Sequence, residues 1–224
     1  MKVGTDALLL GAWSSVPATG DCLDIGCGSG VLSLMLAQRT GPKQLIDAVE
    51  LDAAAAAEAR QNAAASPWSS RIRVIERDIL TYPGSADHLA ARCYQQILSN
   101  PPYFTAALTN PDRQKQLARH NDQLPFAGLL QTAAKLLAPQ ALFSLILPTA
   151  EADRLIALAL GTDWHLWRVQ QVRSQPDKAP SRTLLELGRH PTATVNLPEL
   201  LIRDQQGQYS PAYRQLLADF YLNF

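Results

Sequence analysis

The chain has 224 residues, 47% of them hydrophobic, and its 20 Lys and Arg balance 20 Asp and Glu for a formal net charge of zero. That length buries a sizeable core in one compact domain, and the charge balance excludes a pure electrostatic nucleic-acid coat, though not an enzyme that touches nucleic acid through a local patch. No run approaches the ~20 apolar residues of a membrane span, and the scattered cysteines Cys22, Cys27 and Cys93 make neither a C-x-x-C pair nor a metal pattern, so the expectation is a soluble, metal-free protein of the reducing cytoplasm.

The predicted elements alternate. Thr5 or Asp6 caps a short helix over Ala7–Trp13. Cys22–Ile25 reads as a buried strand that breaks into glycines, and Val31–Arg39 as a helix stopped by Gly41-Pro42. Leu45–Glu50 is a second strand, and the alanine-rich Ala53–Ala65 a strong helix former. Ile72–Glu76 gives a third strand, Ser85–Arg92 a helix, and Tyr94–Ser99 a fourth strand. From Asn100 to about Gln123 the sequence is polar and proline-bearing, a loop or loosely ordered lid over 104–123. Phe126–Leu137 is an amphipathic helix, Ala141–Leu147 a fifth strand and Ala150–Leu160 another helix. Trp164–Val172 and Arg182–Leu187 lack an intervening helix and pair as a hairpin within 164–190. The tail Tyr213–Leu222 is helical with an aromatic face, for core packing or a dimer contact, so a monomer or weak homodimer is expected. Strands separated by helices imply an α/β fold with a mostly parallel sheet, helices on both faces and a closing antiparallel hairpin.

Asp24-Ile25-Gly26-Cys27-Gly28-Ser29-Gly30 lies where the first strand meets a helix. Glycines there let the backbone approach a ligand. The G-x-G-x-G spacing, led by an acid, departs from the G-x-G-x-x-G of dinucleotide binders, and a carboxylate is a poor neighbour for pyrophosphate. It suits a ligand with a positive amino group and sulfonium, which S-adenosylmethionine has. Glu50, ending the second strand, is placed to accept ribose hydroxyls, while Asp52 faces away or caps the next helix. After the third strand, Asp78 is placed for an adenine amino group and Ile79 for the ring face.

The fourth strand runs into Asn100-Pro101-Pro102-Tyr103. Two prolines remove donors and stiffen the backbone, leaving the Asn100 carboxamide oxygen and the Pro101 carbonyl as acceptors for the two protons of an exocyclic NH₂. Tyr103 stacks on a planar substrate. These four residues form the expected reaction centre, and methylation of a planar amine the expected chemistry. Basic residues on either side, Arg113, Lys115 and Arg119 in the loop and Arg173, Lys178 and Arg182 in the hairpin, are candidate RNA contacts.

With these residues in hand, the chain resembles class I adenosylmethionine-dependent methyltransferases of the N-P-P-Y type. More closely it is similar to the bacterial family that makes N6-methyladenosine at position 37 of a valine tRNA. The likeness runs from Met1–Asp6 and Leu10–Trp13 through Cys22–Gly30, Ile46–Leu51, Ser66–Trp68, Asn100–Tyr103 and Trp164–Leu166 to Ile202-Arg203, Tyr209-Ser210 and Asp219–Leu222. It implies a Rossmann-like seven-stranded sheet over 1–224. It also implies S-adenosyl-L-methionine as cofactor and tRNA as partner, with no membrane. By the same likeness residues 1–13 cover the cofactor, with Lys2, Gly4, Thr5 and Asp6 over its methionine end and Asp24, Gly26, Gly28 and Gly30 beneath. Glu50 lies at the ribose, Asp78 and Ile79 at the adenine, and Asn100 touches cofactor and target base alike. Family members carry additional residues ahead of Lys2-Val3-Gly4, so the resemblance implies a start upstream of Met1 or a lid from 104–123. Methylation of a guanine N2 in rRNA or of a protein glutamine N5 uses the same tetrapeptide chemistry, and a non-catalytic cofactor- or nucleotide-binding module is the reading outside catalysis.

Overall fold

The computed structural model of the protein describes residues 4–81, 93–101 and 126–221. In chain order these form α1 (Thr5–Trp13), β1 (Cys22–Ile25), α2 (Val31–Arg39), β2 (Ile46–Glu50), α3 (Ala53–Ala64), β3 (Ile72–Glu76), a 3₁₀ turn (Ile79–Thr81), β4 (Tyr94–Ser99), α4 (Phe126–Leu136), β5 (Leu137–Pro148), α5 (Thr149–Leu160), β6 (His165–Arg173), β7 (Arg182–Gly188), β8 (Val195–Asn196), β9 (Leu200–Leu201) and α6 (Pro211–Leu217). The expected helix Ser85–Arg92 and lid loop 104–123 lie outside the described residues.

The sheet runs β3-β2-β1-β4-β5-β7-β6-β8, with β9 also pairing β6. β1 is central, parallel to β2 on one side and β4 on the other, and all four of its residues are buried. That explains a continuous rather than alternating sequence pattern. The hairpin pairing is as expected: β7 runs antiparallel to both β5 and β6.

Among the described residues the expected seven strands become nine. β8 and β9 are two-residue parallel pairings on β6, Arg168↔Val195 with Val169↔Asn196, and Val172↔Leu200 with Arg173↔Leu201. Two residues on either side of Pro198 carry no periodicity to read. They exist because the open edge of β6 offers unpaired backbone groups.

Alternate residues of the strands feed two cores. Leu98, Ile146 and Leu184 meet α1, α2 and α6 on one face. Ile97, Leu145 and Leu185 meet α4 and α5 on the other. Helix α3 is capped by Asp52, whose Oδ1 accepts from the Ala55 amide at 2.8 Å, and its alanines let it lie close to the glycine loop, Ala59 packing with Cys27 and Ala48. Gly11 permits a similar approach of α1 to α2, since a Cβ there would fall 2.4 Å from Met35 Sδ. Arg71, almost fully buried, donates to the carbonyls of Ala37 and Gly41, supplying acceptors at the end of α2 with a donor.

Helix boundaries differ where caps decide them. α1 starts at Thr5, after an extended Gly4 with no side-chain cap, so Thr5 and Asp6 lie in its first turn rather than before it. α6 is shorter than expected and starts earlier, because Ser210 Oγ accepts from the Tyr213 amide at 3.1 Å and Pro211 occupies the first helical position.

Candidate active site

The carboxyl ends of β3, β2, β1 and β4 form one rim. Register sets its order: Glu50 pairs with Glu76, Val49 with Ile25, and Ile25 with Ser99. Asp78, Glu50, the glycine loop and Asn100 therefore follow one another across the sheet, in a row with about 4.8 Å between neighbouring strands.

The loop after β1 bends toward β2, as the amides of Gly26 and Cys27 both donate to the Val49 carbonyl, at 2.9 and 3.1 Å. Gly26, Gly28 and Gly30 take φ of 71°, 55° and 84°, a region that costs other residues about 1–2 kcal/mol. A Cβ on Gly26 would meet nothing within 4 Å. The side chain of Glu50 fastens this loop: Oε2 accepts from the Gly28 amide at 2.8 Å and Oε1 from the Asp52 amide at 2.9 Å. Each carboxylate oxygen keeps a further lone pair for a ligand hydroxyl.

Asp24 is fully buried. Its Oδ2 accepts from Ser33 Oγ at 2.6 Å, and its Oδ1 is buried with no hydrogen-bond partner. Burial pushes this carboxyl up to about 7, and the Glu50 charge adds to the rise while Ser33 opposes it. At the next strand, Ser99 Oγ donates to the Ile25 carbonyl at 2.9 Å, tying the end of β4 to that of β1. Asn100 Oδ1 is likewise buried and without a partner, and Pro101 is buried. Pro102 and Tyr103 lie outside the described residues.

Asp78 lies in the turn after β3, with Oδ1 accepting from the Leu80 amide at 2.9 Å. Ile79 is packed in the core with Val49 and Leu129 rather than open to a ring. The large apolar side chains exposed on the same two loops are Leu51 and Leu80. Gly4 and Thr5 are exposed at the start of α1, and Asp6 Oδ2 accepts from Arg182 Nε at 2.8 Å.

The expected RNA cations divide. Arg113, Lys115 and Arg119 lie outside the described residues, as does Lys2, expected at the methionine end of the cofactor. Arg182 is engaged by Asp6, and Arg173 forks onto Glu199 at 2.5 and 2.9 Å while donating to the Lys178 carbonyl. Lys178 is exposed, 3.5 Å from Asp177.

Sequence reasoning missed three partners. Ser33 is a polar residue on the buried stripe of Val31–Arg39, a placement that signals a buried acceptor. Ser99 is masked by its strand. The third is a polar ladder across four strands: Gln96 Nε2 donates to Ser144 Oγ (2.6 Å), Ser144 Oγ to Glu186 Oε1 (2.9 Å), and Arg168 Nε to Glu186 Oε2 (3.0 Å). The amide and hydroxyl of Ser15 complete the Glu186 shell at 2.6 and 3.0 Å.

A parallel α/β sheet with an acid-led glycine loop, two further strand-end acids and an Asn-Pro after β4 is that of a class I methyltransferase, whose cofactor is S-adenosylmethionine. The site fits that molecule: the unpartnered Oδ1 of Asp24 can receive its cationic amino group, and the open space over Gly26 admits its chain. Residues 2–139 match the family model "Methyltransferase small domain". The chain is 46% identical, over 99% of itself and 90% of the relative, to the tRNA1(Val) (adenine(37)-N6)-methyltransferase of Tolumonas auensis. The protein of the same name from Pectobacterium carotovorum is 44% identical, over 99% and 88%. The chain belongs to this tRNA1(Val) (adenine(37)-N6)-methyltransferase family. Its fold matches a solved structure described as a predicted O-methyltransferase from Agrobacterium tumefaciens, with TM-score 0.74 at 19% identity over 96% of each chain.

Proposed function

We propose that the protein methylates N6 of adenosine 37 in tRNA1(Val), with S-adenosylmethionine as donor. The activity in the names of its relatives supports the target, and the order of groups along the rim carries the chemistry. Asp78, Glu50, the glycine loop with Asp24, and Asn100 succeed one another as adenine, ribose, methionine and methyl acceptor would.

The donor, when bound, supplies an electrophilic methyl on a sulfonium. Asp24 Oδ1 holds its amino group, and ionises in doing so. Glu50 braces the loop through Gly28 while its remaining lone pairs take ribose hydroxyls. Asn100 Oδ1 and the Pro101 carbonyl accept the two N6 protons of the target base, which turns the nitrogen lone pair toward the methyl. Once N6 had taken the methyl from the donor, the cationic nitrogen would lose one proton to solvent. No strong base is required; positioning and preorganised acceptors lower the barrier. We place Tyr103 against the base, and Lys178 with the loop cations near phosphate. The work is cytoplasmic because its substrate is.

Among the described residues no helix is long and apolar enough to cross a membrane. The test is direct: purified protein with labelled S-adenosylmethionine and a tRNA1(Val) transcript should label adenosine 37. Label that persists after A37 is replaced by G would overturn the assigned nucleotide. Labelling of rRNA or of a glutamine protein substrate in place of tRNA would move the activity to another planar amine.

A further inference from the structure

Helix α1 is held at both ends by the hairpin. At its start Asp6 meets Arg182, the first residue of β7. At its end Arg168 Nη2 donates to the Trp13 carbonyl at 2.8 Å, its guanidinium lies 3.9 Å over the Trp13 ring, and Ser15 binds Glu186. The spans match: nine helical residues extend about 13 Å, and so do the four strand steps from Arg182 to Glu186. Arg182, Leu184 and Glu186 alternate onto one face of β7, and Leu184 packs in the same core as Leu9 and Leu10. The helix therefore lies over β5, beside β7, and its first turn reaches the carboxyl end of the sheet.

That end is the rim. Arg182 pairs with Pro148, three residues beyond Leu145, which pairs with Ser99 beside Asn100. Gly4 and Thr5, exposed at the head of α1, thus stand at the same carboxyl edge of the sheet as the reaction centre. The Asp6 side chain is 19% exposed and that of Arg182 29%, so the pair is shielded enough to hold geometry. Its charges also cancel, which makes Arg182 a poor seat for a phosphate.

We infer that Arg182 is a positioning residue for the methyl donor and not an RNA contact: through Asp6 it fixes the head of α1 beside the methionine end of the site. This rests on the methyltransferase reading. Three variants test it, Arg182→Gln, Arg182→Lys and Asp6→Asn, with S-adenosylmethionine affinity by calorimetry, tRNA affinity, Tm, and kcat and KM measured for each. Arg182→Gln and Asp6→Asn should each weaken S-adenosylmethionine binding roughly tenfold, raising its KM while kcat at saturation and tRNA affinity stay within about twofold. Arg182→Lys, which keeps the charge but not the fork, should stay within about threefold of the parent. A fall in Tm with donor affinity unchanged would show a merely structural bridge and overturn the inference. So would lost tRNA affinity with donor binding intact. Failure of the parent itself to bind S-adenosylmethionine would instead remove the methyltransferase reading, and this inference with it.

Discussion

The two halves of the sheet solve different problems with the same polar residues. In the half built from β3, β2, β1 and β4, carboxylates stand at strand ends, and Asp24 and Asn100 keep buried oxygens without partners. In the half built from β5, β7 and β6, the buried carboxylate Glu186 is saturated by Ser15, Ser144 and Arg168. A satisfied buried network fixes geometry, whereas an unsatisfied group raises the energy of the free protein and lowers it on binding. On the proposed function, one half receives ligands and the other holds the parts that surround them.

Asn100→Ala should lower kcat by about 10²- to 10³-fold with Tm nearly unchanged, measured by methyl transfer and thermal unfolding; a large loss of Tm would place Asn100 in the supporting half. Glu186→Ala should do the reverse. It strands the Arg168 guanidinium and the Ser15 amide and should cost about 3 kcal/mol of stability, read by denaturant unfolding, while a purely catalytic defect would break the contrast.

Asp24 links its site to pH. Its folded value is raised, to about 7, so its contribution to the stability of the free protein is full below the ordinary carboxylate range and is lost as pH rises through about 7. Binding of a cationic amino group favours the ionised form, so donor affinity should climb toward pH 7, by up to roughly tenfold per unit, and level off above. Calorimetry across pH checks this, and Asp24→Asn should flatten the curve. The smallest effect is that of Gly26→Ala, at about 1 kcal/mol of stability from its positive φ. The added Cβ enters open space, so a greater loss in donor affinity than in stability would confirm that the space belongs to the ligand.

Much of the receiving half was legible. Gly26, Gly28 and Gly30, Glu50 and Asn100 sit where a strand ends in the sequence, and a strand end is a local event marked by local residues. The strand Tyr94–Ser99 was likewise read to the residue, since an apolar run stopped by Asn-Pro has sharp limits. Ile79 lies in the core cluster that also holds Leu129 of α4, and whether a turn's apolar residue faces core or solvent depends on what packs around it, which its neighbours in sequence do not state. In the holding half the strands and their hairpin were legible, but the polar pairings between them were not. Nothing near Glu186 in the chain announces Ser15, 171 residues away, nor does Arg182 announce Asp6.

The amino-acid sequence by itself therefore determined the parallel sheet, the glycine loop, the strand-end acids and the chemistry of a planar amine. These follow from periodicity, turn chemistry and residue type, all of which act over a few neighbours. Only the tertiary structure decided that β6 carries two further short strands, that the hairpin arginines serve ion pairs, and that helix α1 is clamped to β7 with its head at the rim. Pairings of that kind depend on which distant surfaces meet in a buried place, and charge alone carries no such address.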